Sequence, residues 1–338
     1  MSLKRRDCLR LGLAATVAAA WPLRSARAEA WPGPAAPAAS AASAEPGSFG
    51  ALDLDWTDGT RQRAVPVRLY LPDAPRATPL VVFSHGIGGS RRGYSWLGSH
   101  FARHGIASLH LQHVGSDRRL WTGNVFGLVG RLQDAARDEE AIHRALDLRF
   151  ALDTLLAGAL APRVDAQRIV AAGHSYGANT TLLASGARVP REGGVPDLHD
   201  PRVRAAIVIS APPFYGEPDP RAILAPVAVP SLHVTATEDV IRIPGYYSGA
   251  EDRVAVFDAI GGPHGPPKWL AVYEGGSHSM FTDRRGSGGA LLNPRVKAAT
   301  QALALAFLRA VFDGDARGLA TWPQQHAALL ARFSTGRG

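Results

Sequence analysis

Cysteine is almost missing from this chain: of its 338 residues only Cys8 carries a thiol. An intrachain disulfide is therefore impossible, and past that position no thiolate nucleophile or cysteine-bound metal can be built. A domain of about 300 residues buries enough surface to do without such staples. Lysine is nearly as scarce, with Lys4, Lys268 and Lys297 alone, so the positive charge is carried by arginine. The histidines never fall at His-Glu-x-x-His spacing, and no metal site is indicated. Gly261-Gly262 and Gly286-Ser287-Gly288-Gly289 stand apart from any strand-to-helix phosphate loop and read as turns. Neither metal nor cofactor is expected.

The formal net charge of +8 is unevenly placed. Lys4, Arg5, Arg6, Arg10, Arg24 and Arg27 fall in the first 28 residues, against the single acid Asp7. The remainder holds 31 basic and 28 acidic residues, an ordinary solvated surface that predicts no nucleic-acid binding. That basic head precedes an apolar stretch from Leu11 to Leu23 and the small-x-small site Ala26-Arg27-Ala28. The arrangement resembles a bacterial twin-arginine export signal, with Cys8 where an aromatic is usual. Thirteen residues fall short of the roughly 20 that span a bilayer, so residues 1–28 read as a cleaved signal and not an anchor. The expectations are the twin-arginine export machinery as partner, a periplasmic or secreted product, and no stable membrane insertion after cleavage. Residues 29–50, rich in Ala, Pro, Ser and Gly, read as a linker, and 51–338 as one catalytic domain.

Eight apolar runs of strand length recur along that domain. Ala51–Trp56 and Val65–Leu71 flank Asp58-Gly59, a hairpin signal. Pro79–Phe83, Ile106–Leu111, Arg168–Ala172, Ala205–Ser210, Ser231–Thr235 and Trp269–Tyr273 follow. Helical periodicity over Asp138–Leu156 and Val296–Phe312 separates some of them. A hairpin followed by strand–helix alternation predicts an α/β fold: a mostly parallel eight-stranded sheet with helices on both faces.

Gly173-His174-Ser175-Tyr176-Gly177 directly follows one strand and precedes a helix predicted over Ala178–Ala187. A serine on so sharp a turn projects its hydroxyl from the sheet edge, and the flanking glycines let strand and helix approach. Roughly 0.2 chance matches to Gly-x-Ser-x-Gly are expected in such a chain, so the context matters more than the motif. Phe83-Ser84-His85-Gly86-Ile87-Gly88-Gly89 leaves another strand, and its glycine-rich turn can aim amides at a developing oxyanion. The natural donors are the N–H groups of Ile87 and Tyr176, with His85 as a brace. Asp239, with Glu238 as its neighbouring alternative, follows a third strand and can orient an imidazole. His278, in Gly275-Gly276-Ser277-His278-Ser279, follows the last. Serine, acid and histidine thus occur in the chain order of an α/β-hydrolase triad. Trp121, after the fourth strand, is a candidate wall for an acyl or aromatic group.

From about residue 50 to 312 the pattern resembles the α/β-hydrolase superfamily. The segments Val82–Gly89 and Gly173–Ala178 resemble platelet-activating-factor acetylhydrolases and dienelactone-hydrolase-like bacterial esterases. That resemblance implies a serine esterase whose oxyanion donors follow His-Gly and the nucleophile, in agreement with Ile87 and Tyr176. Animal acetylhydrolases carry their acid just after the sixth strand; here Ser210-Ala211-Pro212-Pro213 holds no carboxylate, which points to the later Asp239. The expected substrate is a small-molecule or polymeric ester. A thioesterase or peptidase with the same triad, or a non-catalytic binding protein on the same scaffold, are the rival readings.

Overall fold

A computed structural model describes residues 47–262, 265–284 and 289–337. The expected signal and all but the last four residues of the expected linker lie outside them. The first strand begins at Phe49, inside the stretch assigned to the linker, because Phe49 and Gly50 already pair with Pro72 and Leu71.

The strands are β1 (Phe49–Asp58), β2 (Arg63–Pro72), β3 (Thr78–Ser84), β4 (Ala107–Leu111), β5 (Val164–His174), β6 (Val203–Ile209), β7 (Ser231–Glu238), a short hairpin β8 (Ile241–Ile243) and β9 (Tyr246–Ser248), then β10 (Pro267–Ser277) and β11 (Leu330–Arg337). All but β8 and β9 form one sheet in the order β1-β2-β4-β3-β5-β6-β7-β10-β11. Six central strands are parallel, and β1, β2 and β11 are antiparallel additions at the edges. The eight expected strands are all present. The ninth, β11, pairs Leu330 through Arg337 with β10.

The helices are α1 (Ser95–Arg103), α2 (Leu128–Ala135), α3 (Asp138–Ala157), α4 (Tyr176–Ala184), α5 (Pro220–Leu224), α6 (Ala250–Ala259), α7 (Leu292–Asp313) and α8 (Arg317–Gln325). Alternate side chains of the strands sort them to two faces. Val81, Phe83, Val170 and Ala172 pack with Phe101 of α1 and Leu303 and Phe307 of α7. Leu80, Val82, Ile169 and Ala171 turn the other way, onto Leu148, Leu152 and Leu155 of α3. Ala206 and Val208 of β6 meet Leu182 and Leu183 of α4 on that second face. Every residue of α4 after Tyr176 is buried, as befits a helix laid across the middle of the sheet.

The strand order places the site. From β3 the chain passes to β4 on one side, then returns to β5 on the other. The carboxyl ends of β3 and β5 are therefore neighbours, with Ser84 level with Gly173, and their loops diverge into a crevice. In open α/β sheets such a switch point is where ligands bind.

Candidate active site

Ser175 stands between β5 and α4 with φ 56° and ψ −125°, a left-handed backbone that a non-glycine residue rarely adopts. Its amide is tied to the Ile209 carbonyl of β6 at 2.9 Å. The flanking glycines are a steric necessity: a Cβ on Gly173 would strike the Gly177 carbonyl, and one on Gly177 would strike that of Ser84. Ser175 is thus held by packing at the top of the crevice, where the residue is 6% exposed.

His278 follows β10, and Asp239 follows β7. The Ser175 hydroxyl donates to His278 Nε2 at 2.8 Å, and His278 Nδ1 donates to Asp239 Oδ1 at 2.6 Å. The other Asp239 oxygen accepts from the Thr235 hydroxyl at 2.7 Å, and Arg253 Nη2 lies 3.4 Å from Oδ1. Burial opposes ionisation of Asp239, but the neighbouring charges of His278 and Arg253 and the His278 hydrogen bond hold its carboxyl well below the usual range. Glu238 is exposed and makes no such contact with His278, so the acid beside the imidazole is Asp239. Ser210, the first residue past β6, also takes a positive φ, 53°.

The two amides expected to receive an oxyanion flank Ser175. Among the described residues, neither Ile87 N–H nor Tyr176 N–H is engaged by a backbone acceptor. Both residues line the same cavity as Ser175. The loop that carries Ile87 is braced from below, as expected of His85: its Nδ1 donates to the Gly86 carbonyl at 2.7 Å, and its Nε2 accepts the His113 amide at 3.1 Å. His174, beside the nucleophile, joins that loop to the loop of the base. Its Nε2 donates to the His278 carbonyl at 3.0 Å, while Nδ1 accepts from the Tyr94 hydroxyl at 2.8 Å, which in turn receives the Gly86 amide. Burial pushes the His174 imidazole down to about 3, so it stays neutral and this donor pattern persists.

Three features were not read from the sequence. The first is a fully buried Arg144 on α3. It donates to Thr180 Oγ1 at 2.9 Å, to Ser116 Oγ at 2.7 Å and to the His85 carbonyl, and its guanidinium lies 4.4 Å from the centre of the Tyr176 ring. The second is a buried Ser84–His113–Asp147 array with the connectivity of a triad, at 3.0 Å for each contact. All three residues are inaccessible, so the array braces the loop and meets no substrate. The third is Asn179, discussed below. Glu140, Arg144 and Asp147 recur at i, i+4 and i+7; that polar stripe within an apolar helix was the available signal.

Trp121 is a correction. It does not line the cavity at Ser175. Its indole N–H donates to the Gly88 carbonyl at 2.8 Å, and its ring covers Gly88, where a Cβ would collide with it. The residue holds the loop from outside and stacks against Arg284 at 4.9 Å. The cavity, of about 530 Å³, is walled instead by apolar side chains that include Ile142, Leu183, Val189, Leu198 and Phe214. Leu132 of α2 closes one side. The 3₁₀ turn just before α2 leaves Val125 and Phe126 exposed, although the sequence carries no long apolar lid. No group of His, Cys, Asp and Glu among the described residues is arranged to hold a metal ion.

Comparison with known proteins bears on the fold. The solved ferulic acid esterase of Streptomyces cinnamoneus superposes with a TM-score of 0.57 at 24% identity, over 81% of this chain and 93% of that one. The fold is that of an α/β hydrolase. A family model for platelet-activating factor acetylhydrolase, isoform II, matches residues 61–120 of this chain. The matched stretch runs from just before β2 through the Ile87 loop into the 3₁₀ turn that ends at Trp121, and stops before Ser175. It is the same family resemblance that Val82–Gly89 carries in the sequence. No curated protein matches this sequence significantly.

Proposed function

We propose that this α/β hydrolase cleaves carboxylic esters through an acyl-enzyme on Ser175. The observation that carries the reading is His278, held by Asp239 on one nitrogen and by the serine hydroxyl on the other. Attack of Oγ on the ester carbonyl passes its proton to Nε2. The resulting imidazolium is stabilised by Asp239, which stays ionised. The carbonyl oxygen becomes an oxyanion facing the N–H groups of Ile87 and Tyr176. The proton on Nε2 then goes to the departing alkoxide, and water repeats the sequence on the acyl-enzyme. The acetylhydrolase family match and the esterase neighbour both favour esters over amides or thioesters as the substrate class.

The cavity beside Ser175 fits a bulky, largely apolar group on one side of the scissile bond. In the acetylhydrolase-like version of the reading that group is the alcohol and the acyl group is small. The sequence of residues 1–28 supports export by the twin-arginine route to the periplasm or beyond.

The test is hydrolysis of p-nitrophenyl esters from acetate to palmitate, wild type beside Ser175→Ala. Wild-type turnover should fall by about 10³-fold or more in the variant, with an unchanged thermal melt. Equal turnover by the variant would overturn the proposal. A chain-length optimum above acetate would place the acyl group in the cavity, and an optimum at acetate the alcohol.

A further inference from the structure

We infer that the substrate group seated in the cavity carries a neutral hydroxyl, and that Asn179 recognises it; this rests on the ester-hydrolase reading above. Tyr176, Asn179 and Leu183 line the cavity at i, i+3 and i+7, so one face of α4 forms its wall and Asn179 points into it. The wall around that position is apolar, supplied by Leu183, Ile142 and Leu198. Asn179 is only 8% exposed, and its carboxamide oxygen has no hydrogen-bond partner. A buried amide with an unpaired oxygen destabilises the fold, and asparagine is a poor residue for a helix interior. Leucine would complete the wall without either cost. The unpaired oxygen is itself turned away from solvent, so a ligand in the cavity meets the amide nitrogen, or the oxygen after a half-turn of the amide; a ligand that pairs with it accounts for the presence of Asn179.

The ligand chemistry follows from the surroundings. Among the charged side chains at the cavity, Arg191 holds Asp138 and Glu217, and Arg137 holds Asp134, while Glu139 is largely exposed, 3.8 Å from His143. Both cations are thus engaged and the remaining charge is a solvated carboxylate, which favours a neutral substituent over an anionic one. A half-turn of the terminal amide exchanges its donor and acceptor, and a hydroxyl complements both arrangements. Asn179 lies one helical turn beyond Ser175, about 5–6 Å away. The hydroxyl therefore sits roughly a ring's width from the scissile carbonyl, on an aryl or short alkyl group.

Two isosteric ester pairs test this, one for each side of the bond. They are p-nitrophenyl 4-(hydroxymethyl)benzoate against 4-ethylbenzoate, and 4-(hydroxymethyl)phenyl acetate against 4-ethylphenyl acetate. Each is measured with wild type, Asn179→Leu and Asn179→Ala. In one pair the wild-type kcat/KM ratio, hydroxyl over ethyl, should exceed that of both variants by about 10-fold or more, through KM. Ratios equal in all three proteins for both pairs, while the ethyl esters are cleaved in a Ser175-dependent way, would overturn the role of Asn179 and leave the ester reading standing. Absence of Ser175-dependent cleavage of every ester would sink both.

Discussion

At the scale of single residues, the carboxylate beside His278 does more than orient it. Asp239 is wholly buried and shared among His278, the Thr235 hydroxyl and Arg253, itself 2% exposed. Asp239→Asn keeps the shape and removes the charge. The amide then favours the wrong imidazole tautomer, and the Arg253 guanidinium is left buried without its counter-ion. Ester turnover should fall roughly 10³- to 10⁴-fold, and the melting temperature should fall with it. Glu238→Gln changes one exposed side chain and should alter neither. A variant pair with the opposite ranking would move the acid to Glu238. Both carboxylates were candidates in the sequence because they are adjacent at the end of β7. What separates them is where the strand stops: Thr237 and Glu238 are exposed at its end, and Asp239, just past it, turns inward. Ser175 and His278 were legible for the same reason, since each follows an apolar run that could only be a buried strand. Trp121 was not: whether an aromatic faces the cavity or the back of a loop depends on Gly88, 33 residues away, and no local pattern encodes that. Asn179 left only the faint signal of a polar residue one turn after the serine.

At the scale of elements, α3 is the helix on which the rest of the site leans. Its apolar stripe of Leu148, Leu152 and Leu155 docks it on the sheet, while Glu140, Arg144 and Asp147 turn a charged stripe toward the loops. Asp147 pairs with Arg61, Arg63 and His113, and Glu140 with Arg63 and the Ser116 hydroxyl. Arg144 is the member that reaches the site, gripping the His85 carbonyl next to the Gly86-Ile87 turn and covering the Tyr176 ring. Arg144→Met fills the space but leaves those acceptors unpaired. It should cost about 3–5 kcal/mol of stability. It should also lower kcat about 10²-fold through the loosened oxyanion donors, with KM for apolar esters little changed. Denaturant melts and steady-state kinetics check both. A variant that loses stability but keeps kcat would make Arg144 a purely structural brace. Arg144→Lys should recover little of either, because one ammonium cannot replace a three-way fork. The sequence predicted α3 within a residue of its observed end, since its apolar spacing is strong. It did not predict β11, an edge strand in which Leu330 and Phe333 break the alternation, so that only pairing with β10 defines it.

At the scale of the whole molecule, the unusual quantity is buried histidine. His85, His110, His113, His174 and His233 are all buried, and each is hydrogen-bonded as a neutral ring. Burial pushes His110 down to about 4 and His113, His174 and His233 to about 3, and takes His85 well below its ordinary value. In the unfolded chain the same rings take up protons near pH 6.5. Between about pH 6.5 and 4 the unfolded state therefore binds more protons than the native state, and stability must fall as pH falls. Each ring contributes up to about 1.4 kcal/mol per pH unit in that window, against a total stability of about 5–15 kcal/mol for a domain. The buried carboxylates reinforce the trend only lower down: Asp147, held at about 2, loses its contribution as pH drops below the ordinary value near 3.8. The protein should thus melt at progressively lower temperature from pH 6.5 downward and unfold before pH 4, whatever its activity profile. His233→Gln, on β7 against Phe257, should flatten that slope by one ring's share. A melting temperature constant from pH 7 to 4.5 would mean that these rings are protonated in the native state, and the neutral bridge from Tyr94 through His174 to His278 could not hold as described.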